Sequence, residues 1–345
     1  MTDTDANECI LVTGGGGFLG KALCRRLVAD GHRVRSFSRR RHAALEALGV
    51  SQHCGDLADA EAVAAACRGA SVVFHAAAKA GVWGSRESYY RTNVTGTQNV
   101  LTACRRHGVD RLVYTSSPSV VFNGSDMEGV DESVPYPDRY LAHYPATKAQ
   151  AERRVLTAAR EGLRAVILRP HLIWGPEDNH LVPRILQRAD RLATIGDGRN
   201  RVDTVYIDNA ADAHLLAADA LRRRPDLSGR IYFISQDDPI PLWDMVNAIL
   251  EAGGKPPLRR NIGVRAAKLA GAVLESVYRW LPVKGEPPMT RFVAEELATA
   301  HWFDISAARR DLGYAPRVST AEGLQRLREW LRSQAAPGLT RAAAP

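Results

Sequence analysis

The chain has 345 residues, 45% apolar and 24% charged, which suits a globular protein built as one large α/β domain or as a main domain with a smaller companion. Its formal charge of +8 raises nucleic acid or an anionic surface as a partner, but the basic residues are scattered and no Lys/Arg block is interleaved with stacking aromatics, which excludes a nucleic-acid binder. No apolar run reaches the length of a membrane span.

In chain order, the polar, acidic stretch from Met1 to Glu8 has no signal-peptide pattern. Cys9 to Val12 is a short apolar run, as expected of a buried parallel strand. The stretch Val12 to Gly20, Val-Thr-Gly-Gly-Gly-Gly-Phe-Leu-Gly, then reads as the strand's end, a glycine turn and the start of a helix with Leu19, Ala22, Leu23 and Leu27 on one face. Gly14, Gly17 and Gly20 have separate tasks: the first permits a tight turn, the second lets backbone N–H groups approach a pyrophosphate, and the third lets the helix lie close to the strand. The helix N-terminus, with Phe18 and Leu19, adds unpaired donors and partial positive charge. In this context the turn is a nucleotide site rather than a plain loop.

A second strand, 33–38, ends Phe37-Ser38-Arg39-Arg40-Arg41 where an NAD-selective protein places an acid on the ribose 2′-OH. Ser38, Arg39 and Arg40 suit a 2′-phosphate instead, so the sequence predicts NADP(H); a solvated basic turn is the plainer alternative. A third strand, 52–56, ends at Asp56, placed either to accept from the adenine amino group or to cap the next turn. Then follow a helix from Asp59, a fourth strand 71–75, a long helix 87–107 stopped by Gly108, and a fifth strand 111–116 with Thr115-Ser116-Ser117 at its carboxyl edge. A serine there either polarises a substrate carbonyl or caps a turn.

Tyr144 and Lys148 share one face of a helix 144–161, where the ammonium would favour the phenolate and lower the tyrosine pKa; the plainer reading is a surface pair. A strand 165–169 is halted by Pro170, and the sheet is then largely complete. Segments 202–207, 210–222, 230–235 and 242–251 read as a smaller substrate-binding lid, 171–334, interleaved with the core. The last segments begin at the N-caps Asp304 and Thr320, and a flexible tail covers 335–345. The helical stripe Ala266, Leu269, Ala270, Val273, Leu274, Val277 and Leu281 is expected to face the core. The sharper reading of 262–281 is an apolar lid for long acyl chains, or a helix on a membrane or partner surface. Five cysteines without a CxxC pair suit reduced, buried thiols in a cytoplasmic protein.

The succession of Gly14/Gly17/Gly20, Gly55-Asp56-Leu57, His75-Ala76-Ala77-Ala78, Asn93 in Thr-Asn-Val-Thr-Gly-Thr, Ser117, Tyr144/Lys148 and Arg169-Pro170 resembles the extended short-chain dehydrogenases/reductases over about residues 8–333. The stretch Gly198 to His214 is similar to their 3β-hydroxysteroid dehydrogenase branch, which includes sterol-4α-carboxylate dehydrogenases. The loop Lys79-Ala-Gly-Val-Trp-Gly84 with Tyr89 to Asn93 resembles the bacterial reductases of long-chain olefin biosynthesis. The resemblance implies an α/β, Rossmann-type doubly wound parallel sheet over 1–170 with a smaller C-terminal lid, the dinucleotide touching also Asp56, Leu57, Ala76, Ala77, Ala78, Tyr144, Lys148 and Pro170. It implies reduction of a long-chain β-keto acid with NADPH. Tyr144 would give the proton, Lys148 hold the nicotinamide ribose, Ser117 bond the carbonyl oxygen, and Asn93 position the helix or a relay water. A homodimer through helices 87–107 and 144–161, and a place beside other enzymes of the pathway, are implied as well. The alternatives are a sterol 3β-dehydrogenase and a dinucleotide sensor without turnover. The sequence marks no partner for the substrate carboxylate.

Overall fold

The computed structural model describes residues 8–281, 283 and 285–335; the stretch before Glu8 and the expected tail beyond Ala335 lie outside the described residues. Seven strands, β1 (Cys9–Thr13), β2 (Arg33–Ser38), β3 (Ser51–Cys54), β4 (Val72–His75), β5 (Arg111–Thr115), β6 (Ala165–Pro170) and β7 (Ile231–Ile234), form one sheet in the order β7-β6-β5-β4-β1-β2-β3. Every neighbouring pair is parallel. Strand order reverses at β1, which pairs with β2 on one side and β4 on the other; the crevice above their carboxyl ends is where such sheets take ligands.

Alternating side chains divide the core into two layers. Leu11, Val73, Leu112 and Ile167 point to one side, against helices α2 (Ala60–Cys67), α3 (Gly96–His107) and α4 (His143–Arg160). Ile10, Val12, Val113 and Leu168 point to the other, under α1 (Phe18–Ala29) and α6 (Ile207–Arg223), with α5 (Leu181–Gln187) lying between α4 and α6 in sequence. The expected lid region, 171–334, thus returns to the core sheet within its own span. Segment 231–234, all apolar, extends the sheet as its seventh strand, and α6 lays Ala210, Ala213, Ala217 and Ala220 against it. Beyond the sheet, Met127–Val130, Arg201–Val202, Ile240–Pro241 and His301–Phe303 form a second, four-stranded sheet that ties the C-terminal segments to the loop after β5.

Three local expectations change. The helix expected at 87–107 is interrupted: Arg86–Tyr89 is α-helical, Tyr90–Thr95 winds as a wider π turn, and only then does α3 begin. Helix α7 (Val264–Trp280) does not face the core with its apolar stripe; it buries Ala267, Gly271 and Glu275 against the start of α8 (Arg291–Glu296) and turns Leu269 and Val273 outward. The last helix is capped by Ser319, whose Oγ accepts from the Glu322 N–H, rather than by Thr320.

Helix α4 is seated by a buried ion pair. Arg169 of β6 donates from Nη2 to Glu152 Oε1 at 2.5 Å and from Nε to Oε2 at 3.2 Å, and the Tyr136 and Ser116 hydroxyls donate to the same carboxylate. Both charges are out of reach of water, so removing one strands the other in a low dielectric. Glu152→Ala is expected to lower unfolding free energy by about 3–5 kcal/mol in urea titrations.

Candidate active site

At the end of β1 the chain turns at Gly14, whose φ of +72° is the left-handed conformation that glycine accepts without strain. A Cβ there would lie 2.8 Å from Ala77 Cα, and the Ala77 N–H donates to Thr13 Oγ1 at 3.3 Å, so the Ala76-Ala77-Ala78 segment after β4 packs directly on the turn. A Cβ on Gly20 would stand 2.0 Å from the Gly14 carbonyl oxygen, which is why α1 can lie against the turn. Gly17 is the N-cap residue of α1 and has no side chain to satisfy the first-turn N–H groups of Phe18 and Leu19, nor is any acid present in that turn. An uncapped, unneutralised N-terminus at a strand switch point fits a dinucleotide pyrophosphate.

Beside it, Ser38 Oγ accepts from the Gly16 N–H at 3.2 Å. His42, which sequence reading missed, lies over the same turn: a Cβ on Gly16 would stand 1.9 Å from its Nε2. Burial lowers the His42 pKa, and the charges of Arg40 and Lys21 lower it further, so the turn lies in a positive field. Arg39 is exposed and close enough to Asp56 for its charge to act on that carboxyl. Asp56 takes the capping role left open by its sequence: Oδ1 accepts from the Ala58 N–H at 2.9 Å, and Oδ2 pairs with Arg91 at 2.9 Å. The Ala58 N–H is the main reason its carboxyl pKa falls, with Arg91 and Arg39 adding to it. Leu57 is buried against Gly96.

At the carboxyl end of β5 the structure brings Ser117, Tyr144 and Lys148 together, with Pro170 at the end of β6 beside them in the sheet. Tyr144 is half-buried. Burial pushes its phenol up to about 12, opposed by a hydrogen bond with Ser117, and the Glu296 carboxyl adds to the rise. Ser117 Oγ also lies 2.9 Å from Ser119 Oγ and caps the turn that follows. The expected effect of Lys148 on Tyr144 is not what the geometry gives: its Nζ donates to Tyr114 OH at 2.8 Å and to the Thr115 carbonyl at 2.6 Å. Burial lowers the lysine's own pKa to about 7, opposed by Glu152 one turn along. Asn93, in the π turn, accepts from the Lys79 N–H at 2.7 Å and donates to the Lys79 carbonyl and to Thr147 Oγ1, both at 3.1 Å, so it clips the 79–84 loop to α4.

Ala142 and His143, immediately before Tyr144, line a cleft of about 430 Å3 whose other walls include the apolar Trp83, Leu141 and Phe292 and the charged Glu275, Arg279 and Arg291. Glu296 lies one turn after Phe292 on α8, hence on the same face. Burial raises its carboxyl pKa to about 8, with Arg184 opposing. Arg184, on α5, is ion-paired with Glu286, which in turn lies against Gly81 of the 79–84 loop. Glu296, Arg184 and the Glu152 anchor were not singled out from the sequence. Only Glu152 left a local signal, continuing the Tyr144, Lys148 face by one more turn. Of the five free cysteines, Cys24, Cys67 and Cys104 are buried, whereas Cys54, on the edge strand, is exposed.

A family model described as the 3-beta hydroxysteroid dehydrogenase/isomerase family matches residues 11–261. The chain belongs to that family. It is 52% identical over 323 residues to a protein of Stenotrophomonas maltophilia named 2-alkyl-3-oxoalkanoate reductase, covering 92% of this chain and 98% of the relative. A protein of the same name from Shewanella oneidensis is 49% identical over 327 residues, covering 92% of this chain and 84% of the relative. Among solved structures, that described as the crystal structure of gox2253 superposes with a TM-score of 0.77 at 27% identity, covering 95% of this chain and 99% of the other. The family is one of NAD(P)-dependent oxidoreductases, and the chain is an enzyme of that class, which sets aside the sensor without turnover.

The half-buried carboxyl of Glu296 links stability to pH. Its pKa is raised on folding, so the folded state holds a proton that the unfolded chain releases, and stability falls as pH rises from about 4.5 to about 8. In urea titrations at successive pH values across that window, wild type is expected to lose stability relative to Glu296→Gln. A pH-independent difference would show that Glu296 titrates normally.

Proposed function

We propose that this enzyme uses NADPH to reduce the 3-keto group of a long-chain 2-alkyl-3-oxoalkanoic acid to the 3-hydroxy acid, as a step in olefin biosynthesis. The observation that carries the reading is the meeting of a proton-bearing phenol and a serine hydroxyl next to a cleft with both apolar and charged walls, on the sheet edge that carries the uncapped glycine turn. The bound nicotinamide supplies the hydride equivalent for the ketone carbon. Tyr144, which burial keeps protonated at neutral pH, gives its proton to the oxygen as negative charge develops there. Ser117 donates a hydrogen bond to that oxygen, and Lys148 holds the nicotinamide ribose. Asn93 keeps the 79–84 loop fixed to α4. The alkyl chains lie along Trp83, Leu141 and Phe292. Arg184, already held by Glu286, meets the substrate carboxylate, the partner that the sequence leaves unmarked.

Preference for NADPH rests on Ser38, Arg39, Arg40 and His42 around the end of β2 and on the lack of an acid there. The Arg39→Ala, Arg40→Ala double variant is expected to weaken NADPH binding at least about tenfold, the loss of one or two charge-assisted contacts, while leaving NADH binding unchanged. Titrations in which wild type binds the two cofactors equally would overturn the preference. The same reading includes a homodimer across the adjacent helices α3 and α4, and a cytoplasmic location, which the free thiols suit.

Because β-keto acids decarboxylate readily, the test runs in reverse: NADP+ reduction with a racemic 2-alkyl-3-hydroxyalkanoic acid beside a 3β-hydroxysterol. Turnover of the hydroxy acid is expected, and turnover of the sterol alone would reassign the enzyme to sterol oxidation. Tyr144→Phe is expected to bind NADPH normally and to lose turnover by about 100-fold or more; an unchanged kcat would remove the tyrosine from the chemistry.

A further inference from the structure

Among the described residues, seven large apolar side chains are exposed, and five of them, Leu269, Val273, Trp280, Leu281 and Val283, lie on or just after α7. Trp280 is 82% exposed. Such clustering on one helix marks an interaction surface rather than scattered surface hydrophobics. The way α7 is seated accounts for it. Ala267, Gly271 and Glu275, spaced four apart, form the buried stripe; a Cβ on Gly271 would stand 2.7 Å from the Thr290 carbonyl carbon, and Glu275 is bonded by the Arg291 backbone N–H and guanidinium. The helix docks by its small and polar side, and its large apolar side faces out.

Charge selects the occupant. The helix's one acid, Glu275, is buried, and Lys268 is paired with Glu295. Arg265 and Arg279 are exposed and have no ion-pair partner among the described residues. The outward face is thus apolar with a cationic margin and no anion. A two-fold contact with a second copy sets the same patch against itself and brings these arginines together, which disfavours self-association. Arginine beside Leu, Val and a terminal Trp on an in-plane helix is the pattern of a helix lying in the headgroup layer of an anionic bilayer.

The cleft beside Tyr144 opens onto the same surface. Arg279 and Trp83 line it, and Trp83 packs edge-on against Tyr278 of α7 at 6.3 Å. We propose that α7 and the residues after it dock the enzyme on an anionic lipid surface, so that an amphiphile with long alkyl chains passes from the bilayer into the cleft. Docking does not depend on which such substrate is reduced, and its test uses no turnover.

The test is co-sedimentation and tryptophan fluorescence of the full chain with vesicles of phosphatidylcholine alone and of phosphatidylcholine with phosphatidylglycerol. Binding to the anionic vesicles only is expected. It should carry a blue-shifted emission component that Trp280→Ala removes, and it should weaken at least about tenfold when salt shortens the screening length from about 10 Å to about 3 Å. Leu269→Glu with Val273→Glu should abolish binding and leave oligomeric state and the far-UV circular dichroism spectrum unchanged. Arg265→Glu, at an exposed position, should weaken binding without affecting folding. Failure of wild type to bind anionic vesicles at low salt would overturn the proposal. So would retention of vesicle binding in the glutamate variants, or a change in their oligomeric state that assigns the face to a second copy.

Discussion

The Glu152–Arg169 ion pair, sealed between α4 and β6, is the contact on which the geometry of the site depends. Its desolvation is costly, and the hydroxyls of Ser116 and Tyr136 offset part of that cost by filling the remaining carboxylate lone pairs. The same carboxylate stands one turn from Lys148 and two turns from Tyr144. Any rotation or slide of α4 that would move the phenol must also pull Glu152 off Arg169 and leave a bare charge in the core. The pair therefore acts more on register than on bulk stability. Ser116 ties the end of β5 into the same network, so Ser117, the next residue, is held to the frame that holds Tyr144.

The two ends of the site treat charge differently. Around the glycine turn, Arg39, Arg40 and the N-terminus of α1 are open to water, and their attraction for an anion reaches outward. At the catalytic end Lys148 is buried and Tyr144 and Glu296 are half-buried, and burial pushes all three toward their neutral forms. A charge brought into that end by a ligand meets little screening. Small changes in where it sits will redistribute protons among these three groups more readily than at the exposed end.

What could be read from the sequence follows from how local each signal is. The glycine turn, the alternation of strands and helices and the Tyr144/Lys148 face depend on residues close in the chain, and the sheet from β1 to β6 was legible from them. Strand β7 was recognisable as a strand but not as part of this sheet, since an apolar run does not name its neighbour. Spacing placed Lys148 on the face of Tyr144 but could not show that Tyr114 and the Thr115 carbonyl would claim its ammonium. For α7 the amphipathic pattern was real and its sense was inverted, because a helix can dock through alanine and glycine when a backbone lies close enough. Arg184, Glu286 and Glu296 come from separate segments, and nothing in any one segment marks them as neighbours.

Strand β7 also bears on how the chain acquires its shape. Ile231 pairs with Ile167, and α5, α6 and the loops around them intervene in sequence. Until residues 231–234 emerge during synthesis, β6 is an outer strand with a free row of amide and carbonyl groups, and its apolar side chains still await α6. The interval between making β6 and making β7 is thus a period in which the nascent chain is open to pairing with another strand. Closing that edge is a task for the C-terminal half of the chain, apart from anything it contributes to chemistry.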